Sequence, residues 1–127
     1  IAEAFQQYRV NFFNINSRNE QPEEYLKHIQ KEINYLISET QGLDVGKFLK
    51  NETKMRAFAR SLEIIGEAAK QFDKDYRKLH PNIDWKEMSG MRDKLIHHYF
   101  GVDYEIVWDV VTNEIPKLKM QIEVLLK

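Results

Sequence analysis

The chain has 127 residues, of which 43% are hydrophobic and 31% are charged, and its formal net charge is −1. This length is typical of one domain with a sizeable core, and the composition excludes a disordered tail. The absence of cysteine excludes disulfide bonds and thiolate metal sites, and the charge balance excludes a globally basic nucleic-acid binder. Because no membrane-spanning apolar run or secretory signal pattern is found, a cytoplasmic location is expected.

The first half of the chain is predicted to be helical after an uncertain start. Residues 1–21 are interpreted as an N-terminal arm or a vector-derived segment, and residues 22–127 are predicted to form one folded domain. Pro22 suits the first turn of a helix. An apolar stripe follows it toward Gly42: Leu26, Ile29, Ile33, Leu36 and Ile37. A short helical piece over residues 45–50 should come next.

The clearest predicted helix runs from Glu52 to about Phe72. Its apolar residues recur at steps of three and four, which is typical of a helix with one buried face: Met55, Phe58, Leu62, Ile65, Ala69 and Phe72. Ala59, Gly66 and Ala69 are small enough to let another helix approach closely.

Two further helices are predicted in the second half. Asp84 and Glu87 fit a capping box that starts a helix at Trp85, and this helix should continue to about Tyr99, before Gly101. Asp103 can cap the last helix, whose apolar stripe consists of Val107, Val111, Ile115, Leu118, Ile122 and Leu125. Pro116 lies inside this stripe and should kink or divide the helix. Four or five amphipathic helices with short connections predict an all-α antiparallel bundle.

The stretch over residues 91–101 has the highest density of side chains that can transfer protons or bind phosphate. Arg92, Asp93, His97, His98 and Tyr99 occur within eight residues of an otherwise apolar pattern. Arginine binds phosphate through a planar fork of donors, and histidine titrates near neutral pH and can act as acid or base. Asp93 and His97 are four residues apart, so Asp93 could orient the imidazole. The combination suggests chemistry on a phosphodiester.

Helical geometry makes this stretch look like half of a site. Arg92 falls on the same three-and-four spacing as Trp85, Met88, Leu95 and Tyr99, where an apolar residue would be expected. On an ideal helix, the side chains at positions 92 and 97 point about 140° apart. Either the helix end is distorted, or a two-fold dimer brings two copies of the stretch together, and the apolar seam favours the dimer.

Arg92, His97 and Tyr99 form an R-x4-H-x-Y motif, and the chain resembles the HEPN superfamily, most closely the HepT-type toxins. The resemblance extends from about Pro22 to the C-terminus. It includes Leu62 to Ala68, Gly90 to His97, Tyr99 to Asp103 and Ile106 to Trp108. It implies a HEPN-type helical bundle that forms a homodimer.

The resemblance also implies a metal-independent endoribonuclease without a cofactor. In such toxins the motif residues, here Arg92 and His97, line a catalytic cleft at the dimer interface, and the residue that follows the arginine, here Asp93, supports them. The implied substrate is tRNA or mRNA. The implied partner is an MntA-like nucleotidyltransferase antitoxin, which transfers AMP to the motif tyrosine, here Tyr99. Toxin and antitoxin would form a type VII pair and assemble into a larger hetero-oligomer.

Arg92 and the basic residues also have structural interpretations. Arg92 could form a buried ion pair with an acidic neighbour such as Glu63 or Glu67. Residues 47–80 contain more basic than acidic side chains, which could form either a solvated face or an RNA-contacting patch. The residues in question are Lys54, Arg56, Arg60, Lys70, Lys74, Arg77 and Lys78.

The other motif residues leave two further functional classes open. Asp93 and His97 supply only two ligands, so a metal site is weakly supported, and Tyr99 could simply pack in a core or interface. One alternative function is a non-catalytic helical dimer that binds a nucleotidyltransferase and nucleotide. Another is a purely structural bundle that needs the motif for folding.

Overall fold

The computed structural model describes residues 22–95 and 101–127, and these form helices and turns without a β-strand. The α-helices are α1 Pro22–Glu39, α2 Val45–Phe48, α3 Glu52–Ala69, α4 Lys74–Leu79, α5 Trp85–Ser89, α6 Met91–Leu95, α7 Tyr104–Asp109 and α8 Ile115–Leu126. A π-helical segment, Val110–Glu114, joins α7 to α8. The prediction of an all-α fold is confirmed. None of these helices has both the length and the apolar character needed to cross a bilayer.

The three longest helices pack side by side in antiparallel order. The Lys54 Nζ at the start of α3 donates to the Glu39 carbonyl at the end of α1, at 3.3 Å. At the opposite end, the rings of Tyr25 and Phe72 meet edge-on with their centroids 5.7 Å apart. The start of α1 and the end of α8 line a common cleft. Hydrophobic burial along these contacts is the main source of stability.

The predicted apolar stripes form the core. The buried members are Leu26, Ile29, Ile33 and Leu36 on α1, Phe58, Leu62, Ile65 and Ala69 on α3, and Val107, Val111, Ile115, Leu118 and Ile122 in the last helical stretch. The ends of the helices differ slightly from the predictions. α3 ends at Ala69, three residues before the predicted end, and the short α4 was not predicted. The carboxylate of Asp73 caps α4 by accepting a hydrogen bond from the Tyr76 N–H at 2.8 Å.

The predicted helix from Trp85 to Tyr99 is interrupted at Gly90. A one-residue turn there separates α5 from α6, so the prediction of one continuous helix is wrong. The predicted capping box is also wrong: Asp84 is at the N-cap position but makes no side-chain cap hydrogen bond. Its carboxylate instead accepts from the Gln121 amide at 3.3 Å, because α8 passes beside it. Residues 96–100, which include the predicted end of this helix, lie outside the described residues.

The prediction that Pro116 divides the last helix is confirmed. The π-helical segment ends at Glu114, and Pro116 lies in the first turn of α8. Proline has no N–H and its ring clashes with the carbonyl four residues earlier, so an α-helix cannot continue regularly through it. The Ile115 N–H donates to the carbonyl of Val110, five residues earlier, which is the π-helical spacing.

Candidate active site

The segment that carries Arg92 is seated on α3 at a glycine. A Cβ atom built on Gly66 would lie 3.2 Å from the Met88 carbonyl oxygen, 3.7 Å from that of Ser89 and 3.9 Å from the Met91 Cβ. The absence of a side chain at position 66 therefore lets the backbone at the junction of α5 and α6 approach α3 closely. This confirms the expectation that small residues on α3 admit another helix.

α6 buries one face and exposes the other. Met91 and Leu95, four residues apart, are buried, whereas Arg92, Asp93 and Lys94 are exposed. The prediction that Arg92 lies in an apolar seam is therefore wrong. Because the turn at Gly90 changes the register, Met91 occupies the buried position next to the core, and Arg92 lies at the edge of this face.

The structural interpretation of Arg92 as a partner of Glu63 is also wrong. Glu63 instead accepts from Arg60, with 3.4 Å between Arg60 Nη1 and Glu63 Oε2. Arg92 makes no ion pair with any carboxylate of residues 22–95 and 101–127. With respect to these residues its guanidinium is available to an external anion, as is required of a residue that binds phosphate.

Lys94 is a charged residue of α6 whose role was not expected from the sequence. Its Nζ lies 3.0 Å from Glu114 Oε1, on the π-helical segment, and 3.9 Å from Glu87 Oε2, on α5. The hydrogen bond to Glu114 and the charges of Glu114, Glu87 and Asp109 raise the pKa of Lys94, although burial partly opposes them. No local sequence signal indicates this arrangement, since Lys94 and Glu114 are twenty residues apart.

Asp103 joins the start of α7 to the end of α6. Its N–H donates to the Leu95 carbonyl at 2.9 Å, so the two ends of the described chain on either side of residues 96–100 are neighbours. The carboxylate of Asp103 accepts from the N–H groups of Glu105 and Ile106, at 3.1 and 3.2 Å, which confirms the predicted cap.

The structure locates two of the predicted motif residues, Arg92 and Asp93. They are consecutive on the exposed face of α6. The other three, His97, His98 and Tyr99, lie outside the described residues. Leu95 and Asp103, which are described on either side of the segment that carries these three residues, are in contact.

The basic residues expected to form a patch are partly engaged with other groups. Arg56 pairs with Glu52 at 2.7 Å. Arg77 donates to the Ala69 carbonyl at the end of α3, at 2.9 Å. Lys70, Lys74 and Lys78 are exposed near the junction of α3 and α4. Within the described part of the chain, no group of three or more histidine, aspartate or glutamate side chains could hold a metal ion.

These features define a helical bundle protein that presents an arginine and an aspartate on the exposed face of α6. The chain belongs to the HepT-like ribonuclease family, whose family model, "Ribonuclease HepT-like", matches residues 23–125. This match confirms the resemblance seen in the sequence.

Named relatives cover most of the chain. A protein of Caldanaerobacter subterraneus subsp. tengcongensis named "Putative RNase" is 48% identical over 106 residues, which are 84% of this chain and 95% of that protein. The "Probable ribonuclease HepT" of Thermococcus cleftensis is 44% identical over 104 residues, 82% of this chain and 94% of that protein. A "Putative RNase" of Methanocaldococcus jannaschii is 42% identical over 103 residues, 81% of this chain and 85% of that protein. No solved structure gives a significant match.

Proposed function

We propose that the protein is a metal-independent endoribonuclease and the toxin of a toxin–antitoxin pair. The observation that carries the proposal is the exposed guanidinium of Arg92 on α6, which pairs with no carboxylate of the described residues, in a chain of the HepT-like ribonuclease family. Relatives named as ribonucleases support RNA as the substrate class. Arg92 and His97 would be the catalytic residues, and Asp93 would support them.

Arg92 would stabilise the charge that develops on the scissile phosphate. During attack at phosphorus, negative charge accumulates on the two non-bridging oxygens, and a fixed guanidinium lowers the energy of that state. α6 suits this role because Met91 and Leu95 anchor it in the core and leave Arg92 exposed. Asp93, the next residue on the exposed face, would orient the imidazole of His97 and stabilise its charged form.

His97 would serve as the general base. It would take the proton from the ribose 2′-hydroxyl, the 2′-oxygen would bond to the adjacent phosphorus, and the bond from phosphorus to the 5′-oxygen would break. A second His97, from another copy of the chain, or a water molecule would protonate the leaving 5′-oxygen. The products are a 2′,3′-cyclic phosphate and a 5′-hydroxyl. Because the nucleophile belongs to the substrate, DNA should not be cleaved.

A second copy of the chain would complete the site. On an ideal helix, positions 92 and 97 point about 140° apart, which places the two side chains poorly for one phosphate. A two-fold axis beside α6 would bring Arg92 of one protomer near His97 of the other. Analytical ultracentrifugation tests this step, since a monomer at concentrations that support full cleavage would contradict it.

The catalytic assignment is tested with purified protein and RNA. Arg92→Ala and His97→Ala should each lower kcat by roughly a hundredfold or more, because each removes a group used in the transition state. Arg56→Ala is the matched control, since Arg56 is an exposed arginine that pairs with Glu52 on its own helix. Cleavage should persist in EDTA and leave 2′,3′-cyclic ends. A strict requirement for Mg²⁺, or full activity in both variants, would contradict the assignment.

Tyr99 would be the site of inactivation by an MntA-like nucleotidyltransferase antitoxin. AMP attached to its hydroxyl would add bulk and a negative phosphate at the catalytic cleft, and would exclude RNA by contact and by repulsion. After co-expression with an MntA-like nucleotidyltransferase, intact mass should show an added AMP that Tyr99→Phe abolishes and Tyr104→Phe retains. An added AMP without any RNA cleavage by the unmodified protein would favour the alternative of a non-catalytic module that binds the transferase.

A further inference from the structure

Lys94 connects three elements that surround the candidate site. It lies on α6, and its Nζ reaches Glu114 on the π-helical segment at 3.0 Å and Glu87 on α5 at 3.9 Å. The side chains of Lys94 and Glu114 are 43% and 33% exposed, so water screens their attraction and the pair contributes little to global stability. The ion pair should instead affect mainly the orientation of α6.

The orientation of α6 depends on its contacts with other parts of the chain. The structure describes it from Met91 to Leu95, and a turn at Gly90 separates it from the preceding helix, α5. Met91 and Leu95 hold one face of the helix against the core, and the hydrogen bond from the Asp103 N–H to the Leu95 carbonyl holds Leu95 to the start of α7. Neither contact involves the flank of the helix that carries Lys94, so an ion pair on this flank adds a separate restraint on rotation.

Lys94 is placed to provide that restraint. It follows Arg92 by two residues, which on a helix is about 200° around the axis, so the two side chains lie on opposite flanks of the buried face. A rotation that stretches the contact from Lys94 to Glu114 must also displace Arg92. The position of Glu114 depends in turn on the π-helical segment next to Pro116, which fixes the register of that helix.

We propose that Lys94 is a positioning residue that, by bridging Glu87 and Glu114, fixes the orientation of α6 and of the Arg92 guanidinium. The proposal rests on the proposed function, in which Arg92 contacts the scissile phosphate. Lys94 itself would touch no substrate. Its removal should therefore lower kcat, which depends on the alignment of Arg92, and leave KM nearly unchanged.

The kinetic test uses Lys94→Met, Glu114→Gln and the double variant. Each single variant should lower kcat about fivefold, the upper limit for a half-exposed ion pair, with KM within about twofold of wild type. The double variant should lose no more than either single variant, because both changes break the same contact. Lys94→Arg keeps the positive charge and should recover most of the kcat that Lys94→Met loses. A kcat within about twofold of wild type in both single variants would overturn the proposal.

Lys119→Met and Glu123→Gln provide the matched control. These residues form an ion pair of similar length, 3.6 Å, and similar side-chain exposure, 38% and 46%, on α8. They should leave kcat unchanged. All variants are compared at a temperature where urea titration shows that each is fully folded, so that a loss of folded protein is not counted as a loss of kcat. An equal loss of kcat in the control pair would also overturn the proposal.

Amide hydrogen exchange separates this proposal from the proposed function. If the wild-type protein cleaves no RNA, the proposed function fails, but the restraint on α6 is still measurable. Lys94→Met should accelerate exchange at residues 91–95 and leave α1 unchanged, whereas Lys119→Met should not affect α6. Identical exchange at residues 91–95 in Lys94→Met and wild type would overturn the proposal whether or not RNA is cleaved.

Discussion

Replacement of Gly66 by alanine tests how α3 supports the candidate site. The added Cβ would lie 3.2 Å from the Met88 carbonyl oxygen and 3.7 Å from the Ser89 carbonyl oxygen. Both are backbone atoms, so the junction of α5 and α6 must move away from α3 by a few tenths of an ångström. Neither oxygen can move aside by a simple change of side-chain rotamer.

Two opposing effects determine how Gly66→Ala changes the free energy of unfolding. In a helix without this contact, alanine is more stable than glycine by ~1 kcal/mol. Overpacking of a close contact typically costs ~1–3 kcal/mol. Because the contacted atoms are backbone, we expect the second effect to exceed the first, with a net loss of up to ~2 kcal/mol in the free energy of unfolding. The displaced α6 should also lower kcat several-fold, since it carries Arg92.

Gly46→Ala on α2 is the matched control. Its Cβ would contact only the Asp44 Oδ1 at 3.3 Å, a side-chain oxygen that caps α2 by accepting from the Lys47 N–H at 2.8 Å, and no backbone atom. This variant should remain close to wild type in stability, because the gain in helix propensity offsets a small loss at the cap. Urea denaturation gives the free energy of unfolding of both variants, and RNA cleavage gives kcat. If Gly66→Ala is as stable as Gly46→Ala and fully active, the close approach at Gly66 does not support the site.

Three further predictions concern stability. Burial raises the pKa of Tyr35 and Tyr76 above 10.0, with nearby carboxylates adding to the effect at Tyr35, and a carboxylate hydrogen bond raises the pKa of Lys94 above 10.5. The folded protein keeps these protons to higher pH than the unfolded chain. The contribution of the three side chains to the free energy of unfolding is therefore complete below pH 10 and is lost as the pH rises through their folded-state pKa values. Urea denaturation between about pH 8 and 11 should show this fall, and a constant free energy would contradict it. Asp103→Ala removes the cap of α7 and should cost ~1 kcal/mol, whereas Asp103→Asn should cost less; equal losses would argue against capping. Leu62→Ala should cost ~2–5 kcal/mol because Leu62 is fully buried, and a loss below about 1 kcal/mol would mean that the core closes around the cavity.

The long helices and several of their ends could be predicted from the sequence. The apolar stripes of α1, α3 and α8 repeat at steps of three and four, a pattern that depends only on residues close together in the chain. The cap at Asp103 and the division of the helix at Pro116 also arise within one or two helical turns. Local rules were sufficient for these features because the interacting groups are at most five residues apart.

The surroundings of the candidate site depend on residues that are distant in the chain. Arg92 is exposed because α5 and α6 separate at Gly90, where their backbone packs on Gly66. Asp84 makes no cap because its carboxylate accepts a hydrogen bond from Gln121, thirty-seven residues later. Lys94 likewise pairs with Glu114 across twenty residues.

The sequence by itself determined the long helices, their buried faces and the R-x4-H-x-Y motif. Only the tertiary structure decided which charged side chains of the described residues are paired and which are exposed, as the contrast between Lys94 and Arg92 shows. The physical reason is that helix formation follows local spacing, while ion pairs and close backbone contacts need elements that only folding brings together.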